Sequence, residues 1–369
     1  MPADAPLDRD RFYRLYGSDV SYFTAKVRPA LRVKRVPYAE LLATSSVYRE
    51  VIIPRTGLAF IPIVVTDRDE TWQDTSEILD ALEHRFPDPP LYPADPVLRV
   101  LAYLFELYAD EFLILPALHY RWSFPRSAAK ARGDFAATSG DVEMANQFAD
   151  RIAGSVPFIG VSPASVPGIE AHTADLLEAF SRHLGAHAYL LGEQPSLADC
   201  AMMGPFYAHL YLDAVPGDLL RERAPRVCHW IQRANCPEPS ARGEWASYDA
   251  LAPTLRPLLE LIGRDAVPML LDTVRAVEEW AASRPPDVEP PRAVGGHTTR
   301  LRGADVPRYT SPYTLWMVQR PLDAYRALAA PERAAVDAAL AGTGCEPLLA
   351  LRPSLRLGKR EFKLVVEPQ

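Results

Sequence analysis

Phe60-Ile61-Pro62-Ile63-Val64-Val65-Thr66-Asp67-Arg68-Asp69-Glu70-Thr71-Trp72, running on through Gln73-Asp74-Thr75-Ser76-Glu77-Ile78-Leu79-Asp80-Ala81-Leu82, decides how this chain is read. Ile61, Ile63, Val64 and Val65 are β-branched and stop at a charged turn, Asp67 to Glu70, so a short buried strand enters a hairpin. Pro62 stands at its head, where a strand tolerates a residue with no N–H, and an X-Pro bond is the one that is readily cis. After the second strand, Asp74-Thr75-Ser76-Glu77 has the form of a capping box, with Ile78, Leu79, Leu82 and Phe86 as one apolar stripe behind it. A helix is expected to start near Asp74.

Working outward, Phe12-Tyr13-Arg14-Leu15-Tyr16 alternates and ends at Gly17, which fits a first strand. Ser21 is the natural N-cap of a helix whose face carries Phe23, Val27, Ala30 and Leu31, with Pro29 inside it. Val36 to Glu40 reads as a second strand and Thr44 to Val51 as a loose helix, so the order over residues 10–86 is β-α-β-α-β-β-α. Pro87, Pro89, Pro90, Pro93 and Pro96 then mark a seam, because a helix cannot run through them. Pro237 with Pro239 makes a second break, and Pro285, Pro286, Pro290 and Pro291 a third. Between these, Val97 to Trp122 repeats apolar residues at helical spacing.

Composition narrows the function classes. A net charge of −7 argues against a general nucleic-acid surface. No apolar run spans a bilayer, and Met1 to Asp8 lacks the basic start and apolar core of a signal peptide, which points to a cytoplasmic protein without a membrane partner. Cys200, Cys228, Cys236 and Cys345 lack C-x-x-C spacing, and Glu106, Asp110 and Glu111 have only His119 near them in sequence, so no metal site is expected.

An apolar-Ile-Pro-Ile-Val-Val strand, a polar turn, then acid-hydroxyl-x-x-Ile resembles the second half of the thioredoxin-like domain of glutathione transferases. Strand, glycine, short loop, Ser21 and helix resemble its beginning. Leu190-Leu191-Gly192-Glu193-Gln194-Pro195-Ser196-Leu197-Ala198-Asp199 is similar to the signature of that family's helical domain, where Ser196 and Asp199 form a local capping box. The resemblance covers about residues 10–237. It implies an α/β thioredoxin-like domain at 10–88 and an all-α domain at 96–240, with a mixed α/β extension at 245–369 outside it. It further implies glutathione as substrate, a small electrophile as its partner, and a possible homodimer.

By the same resemblance, Ser21 would stabilise the glutathione thiolate, with Tyr22 and Phe23 beside it. Ile61 and Pro62 would clamp the cysteinyl backbone like an added strand, and Asp74 and Thr75 would hold the γ-glutamyl end. Arg55, in a long loop before Ile61, either approaches that site or faces water. Tyr108 either lines an electrophile pocket or is core. Ser21, Asp74 and Thr75 have a plainer reading as helix caps. A non-catalytic member of the fold, binding a small molecule or a protein, is the alternative function.

The extension reads as helix over Leu255–Trp280, a second helix over Pro321–Ala341, and a terminal strand pair from Pro347–Leu351 and Glu361–Val366. From Gly296 onward it holds 11 basic and 7 acidic residues, a surplus that suits packing on an acidic body. Tyr313, Trp316 and Met317 share a helical face with Arg320 one turn on. That face either closes the substrate side of the cleft, suiting an apolar acid, or fastens the extension to the body.

Overall fold

The computed structural model describes residues 12–237, 243–285 and 288–367. Pro239, Pro286 and residues 10 and 11 of the first expected unit lie outside them, as does the N-terminal stretch read for a signal peptide.

Four strands form the first sheet in the order β2-β1-β3-β4: β1 Tyr13–Gly17, β2 Tyr38–Leu42, β3 Ile63–Val65 and β4 Thr71–Gln73. β1 runs parallel to β2 and antiparallel to β3, with Leu15 opposite Val64. The period-two alternation sends Leu15 and Val64 to one face, where they meet Val27, Ala30 and Leu31 of α1 (Tyr22–Val33) and Ile78, Leu79 and Leu82 of α2 (Thr75–Arg85). Tyr16, Ile63 and Val65 face the other way onto Ile52 and Ala43, under short helical turns spanning residues 45–56. This is the thioredoxin-like arrangement expected, with the second strand displaced two residues towards the C-terminus.

A helical body follows. α3 (Pro96–Leu107) passes through a wide turn at Tyr108–Phe112 into α4 (Ile114–Trp122), and α5 (Pro125–Ser139) and α6 (Val142–Ser155) form an outer hairpin. α7 (Val166–His183), α8 (Leu197–Pro205), α9 (Ala214–Arg223) and α10 (Pro225–Asn235) complete it. Asp199 Oδ2 accepts from the Ser196 N–H and hydroxyl, and its Oδ1 accepts from Leu190 N and the fully buried Trp230 indole. The local box read from sequence is therefore present and also pins α10.

The extension packs onto this body. α11 (Tyr248–Leu261) lies against α7 and continues into α12 (Val267–Ala281), which carries the hairpin β5 (Gly296–Leu301) and β6 (Ala304–Tyr309). α13 (Pro312–Arg326) lies along α3 and α12, followed by α14 (Ala330–Leu340), α15 (Glu346–Ala350) and the hairpin β7 (Leu357–Arg360) with β8 (Lys363–Val366). Three expectations change here. The helix read from Pro321 begins at Pro312, and the chain breaks before Ala330, where Glu332 accepts from the Ala329 N–H. Pro347–Leu351 does not form a strand: successive Leu348 and Leu349 are both buried, which a helical turn allows and an alternating strand does not. The β5–β6 hairpin was not expected at all; it turns on Arg302 and Gly303, both at positive φ.

The units meet at a buried ion cluster. Lys26 Nζ, on α1, lies 2.8 Å from Glu106 Oε1, 2.6 Å from Asp110 Oδ2 and 3.0 Å from Ser76 Oγ, with Lys26 and both acids fully or almost fully buried. From the extension, Arg320 Nε donates to the other Glu106 oxygen at 2.9 Å and its two terminal nitrogens donate to Asp80 at 2.7 and 3.0 Å. Removing one partner from such a cluster leaves an uncompensated buried charge. Lys26→Met should therefore lower stability in urea denaturation by about 3–5 kcal/mol; a loss below about 1 kcal/mol would show that the cluster does not hold the units together.

Candidate functional site

The first landmark is the start of α1. Ser21 has extended backbone and its hydroxyl accepts from Thr24 N at 3.3 Å, so it caps the helix while remaining half-buried. Tyr22 turns inward: its hydroxyl donates to the Ala109 carbonyl at 2.5 Å, and its ring meets His209 edge-on and fits against Gly204, where a Cβ would collide with it. Phe23 is half-buried beside it.

The Ile61–Pro62 bond is cis, and the β3 ladder begins only at Ile63, leaving the half-buried Ile61 outside it. Arg292 of the extension lies over the neighbouring Phe60 ring, 5.0 Å from its centre.

Asp74 closes the group. It caps α2 at φ 75°, a left-handed backbone value that a non-glycine residue seldom adopts, and Oδ1 accepts from Ser76 N at 3.0 Å. The fourth member of the expected capping box does not return to it, because Glu77 is drawn 3.3 Å from Lys359 Nζ. Asp74 Oδ2 is taken from the extension: the Tyr313 hydroxyl donates to it at 2.7 Å, and Lys359 Nζ stands 2.7 Å away as an ion pair without hydrogen-bond alignment. Lys359 also sits over the Trp316 ring, 3.9 Å from its centre. Both Asp74 oxygens are thus engaged within the chain, and Thr75 and Ser76 beside it are buried.

Residues 15–90 match the glutathione S-transferase N-terminal domain and residues 169–236 the glutathione S-transferase C-terminal domain. The chain carries both domains of the glutathione S-transferase family. No curated protein matches it. Among solved structures it is distantly similar to the β-etherase LigF from Sphingobium sp. strain SYK-6, at 18% identity over 62% of this chain and 96% of that one, with a TM-score of 0.45. A glutathione S-transferase from Rhodospirillum rubrum F11 is 20% identical over 67% and 91%, TM-score 0.41. One from Methylobacterium radiotolerans, in complex with glutathione sulfonate, is 20% identical over 64% and 97%, TM-score 0.40.

Within this glutathione S-transferase fold the remaining candidates separate. Arg55 donates to Asp69 and Thr71 at the β3–β4 turn. Tyr108 is core, stacked on Phe112 with its hydroxyl 2.7 Å from His172 Nε2. His172 in turn meets Asp265, which Arg302 of the β5–β6 turn also grips. The Tyr313 and Trp316 rings meet at a tilt with centres 5.2 Å apart, and Arg320 lies over Tyr103. No group of three metal-ligating side chains occurs among the described residues, and no helix there is long and apolar enough to cross a membrane.

Sequence reasoning missed Lys26, Ser76 and Lys359. Lys26 had a signal, since it shares a helix face with Phe23, Val27 and Ala30, where a charge is out of place without a partner. Lys359 lies in a Gly-Lys-Arg stretch with none.

The cluster splits the two acids. Burial by itself raises the Glu106 carboxyl, but Arg320 and Lys26 pull it down to about 2. Burial raises Asp110 to about 7, with Lys26 opposing and Glu106 adding. A carboxyl raised when folded binds its proton more tightly than in the unfolded chain, so its contribution is complete below about pH 4 and disappears as pH rises through 7. Glu106 works the other way and loses its contribution only below about pH 4.5. Between pH 5 and 7 the stability difference between wild type and Asp110→Asn should shrink as pH rises, by at most about 1.4 kcal/mol per pH unit. Parallel stability curves in urea titrations across that range would mean that Asp110 is ionised throughout.

Proposed function

We propose that this protein is a ligand-binding member of the glutathione S-transferase fold in which the C-terminal extension occupies the γ-glutamyl anchor, so that glutathione conjugation is not its resting activity. The observation behind this is the contact of Tyr313 and Lys359 with Asp74 Oδ2. Lys359 presents a primary ammonium, the same chemical group as the α-amino end of glutathione. The two compete for one carboxylate. Arg292 over Phe60 adds cover beside Ile61.

A second reading, in which the chain conjugates glutathione to a small electrophile, draws on the cis Ile61–Pro62 bond and on Ser21 at the start of α1. There Ser21 would hold the thiolate, Ile61 and Pro62 the cysteinyl backbone, and Asp74 and Thr75 the γ-glutamyl end once Lys359 withdraws. A donor at a helix N-terminus favours a thiolate over a thiol.

Calorimetric titration with glutathione separates the two. Wild type should bind weakly, in the millimolar range, and the Tyr313→Phe/Lys359→Met protein at least tenfold more tightly, because Asp74 Oδ2 is freed while the aromatic and aliphatic packing is kept. Micromolar binding by wild type, together with turnover that falls in Ser21→Ala, would overturn the closed-anchor reading in favour of conjugation.

A further inference from the structure

Arg308 stands apart from the cluster and from Asp74. It lies on the inward face of β6 with Val306, is only 8% exposed, and its Nε has no hydrogen-bond partner. No carboxylate among the described residues lies within ion-pairing distance of it. Glu111 is near enough for its charge to be felt, with one oxygen of its carboxylate accepting from the Thr314 hydroxyl. His297, directly across the hairpin from Arg308, has both ring nitrogens engaged, by Thr273 and Thr310, and burial with Arg308 nearby lowers its pKa to about 4. It adds no charge at neutral pH. A buried guanidinium is costly unless an anion meets it, and its planar fork suits a carboxylate.

The guanidinium residue also lines a cleft of about 550 Å³, bounded by Pro157, Phe158, Gly295, His297, Pro307 and Tyr309. Its rim is apolar: Phe158 is 65% exposed, an unusual placement for a phenylalanine next to a buried cation. A positive group within an apolar, partly aromatic wall selects a flat apolar body that ends in an anion.

We propose that the cleft between residues 157–158 and the β5–β6 hairpin binds a small aromatic carboxylic acid, with its carboxylate on Arg308 and its ring against Pro157 and Phe158. The site belongs to the extension together with the helical body and does not depend on glutathione. Its selectivity is for charge and flatness together. An aromatic alcohol of the same shape meets the wall but leaves the guanidinium unanswered.

The test uses the full chain and two probes, 2-naphthoate and the neutral 2-naphthylmethanol, by isothermal titration. Wild type should bind the acid at least tenfold more tightly than the alcohol, since a hydrogen bond to a charged group is worth that much. Arg308→Gln should remove this preference, and Phe158→Ala, a substitution at an exposed position that leaves the fold alone, should weaken both probes severalfold. Equal affinity of wild type for the two probes, no saturable binding of the acid, or unchanged affinities in Phe158→Ala would each overturn the proposal. The Phe158→Ala arm stands even if Arg308→Gln does not fold.

Discussion

A lysine ammonium held away from water between two carboxylates is the constraint on which the rest of this structure depends. Lys26 sits on the first helix of the thioredoxin-like domain, and Glu106 and Asp110 on the helical body, so the pair cannot form unless the two domains close on each other. Such a group has no stable exposed half-way state once the helices pack, because removing its partners leaves a bare buried charge. Arg320 then ties the extension to the same cluster, reaching Glu106 on one domain and Asp80 on the other. The extension is thereby wedged into the seam, and its basic side chains meet acidic partners there: Asp80, Glu106, Asp74 and Glu77.

Under the closed-anchor proposal, that wedge limits ligand access to Asp74. The helix α13 is fixed by Arg320 at one point and by Tyr313 two turns earlier, and Lys359 arrives from a separate hairpin over the Trp316 ring. Two elements distant in sequence, α13 and β7, converge on Asp74. Opening that carboxylate therefore means moving a cation off an aromatic face and breaking a tyrosine hydrogen bond together, a coupled event rather than the swing of a single side chain.

Much of the two-domain body was legible in the sequence because its signals are local. The Ile-Pro-Ile-Val-Val strand, its charged turn and the Asp74 start of α2 lie within 23 residues, and the Ser196–Asp199 box within four. Turn chemistry and helix caps act over that range. The ion cluster was not legible, since Lys26 and Asp110 are 84 residues apart and nothing near Lys26 announces its partner. In the extension, Tyr313, Trp316 and Arg320 were correctly read as one face, and the charge surplus anticipated acidic contacts. The strand pairing failed at Leu348 and Leu349, where a run of leucines is consistent with strand or helix and only packing chooses. Asp74 was read as a cap or a ligand contact; its capture by Tyr313 and Lys359 is a long-range fact with no local trace.

The most direct measurement is a double-mutant cycle between Asp74→Asn and Lys359→Met, read as urea stability. Asparagine caps a helix as well as aspartate, so the cycle isolates the ion pair from the cap. The closed anchor predicts a coupling of about 1 kcal/mol or more between the two positions, as expected for a buried, charge-assisted contact. Additive effects, with a coupling below about 0.3 kcal/mol, would contradict it and leave Asp74 free for a ligand.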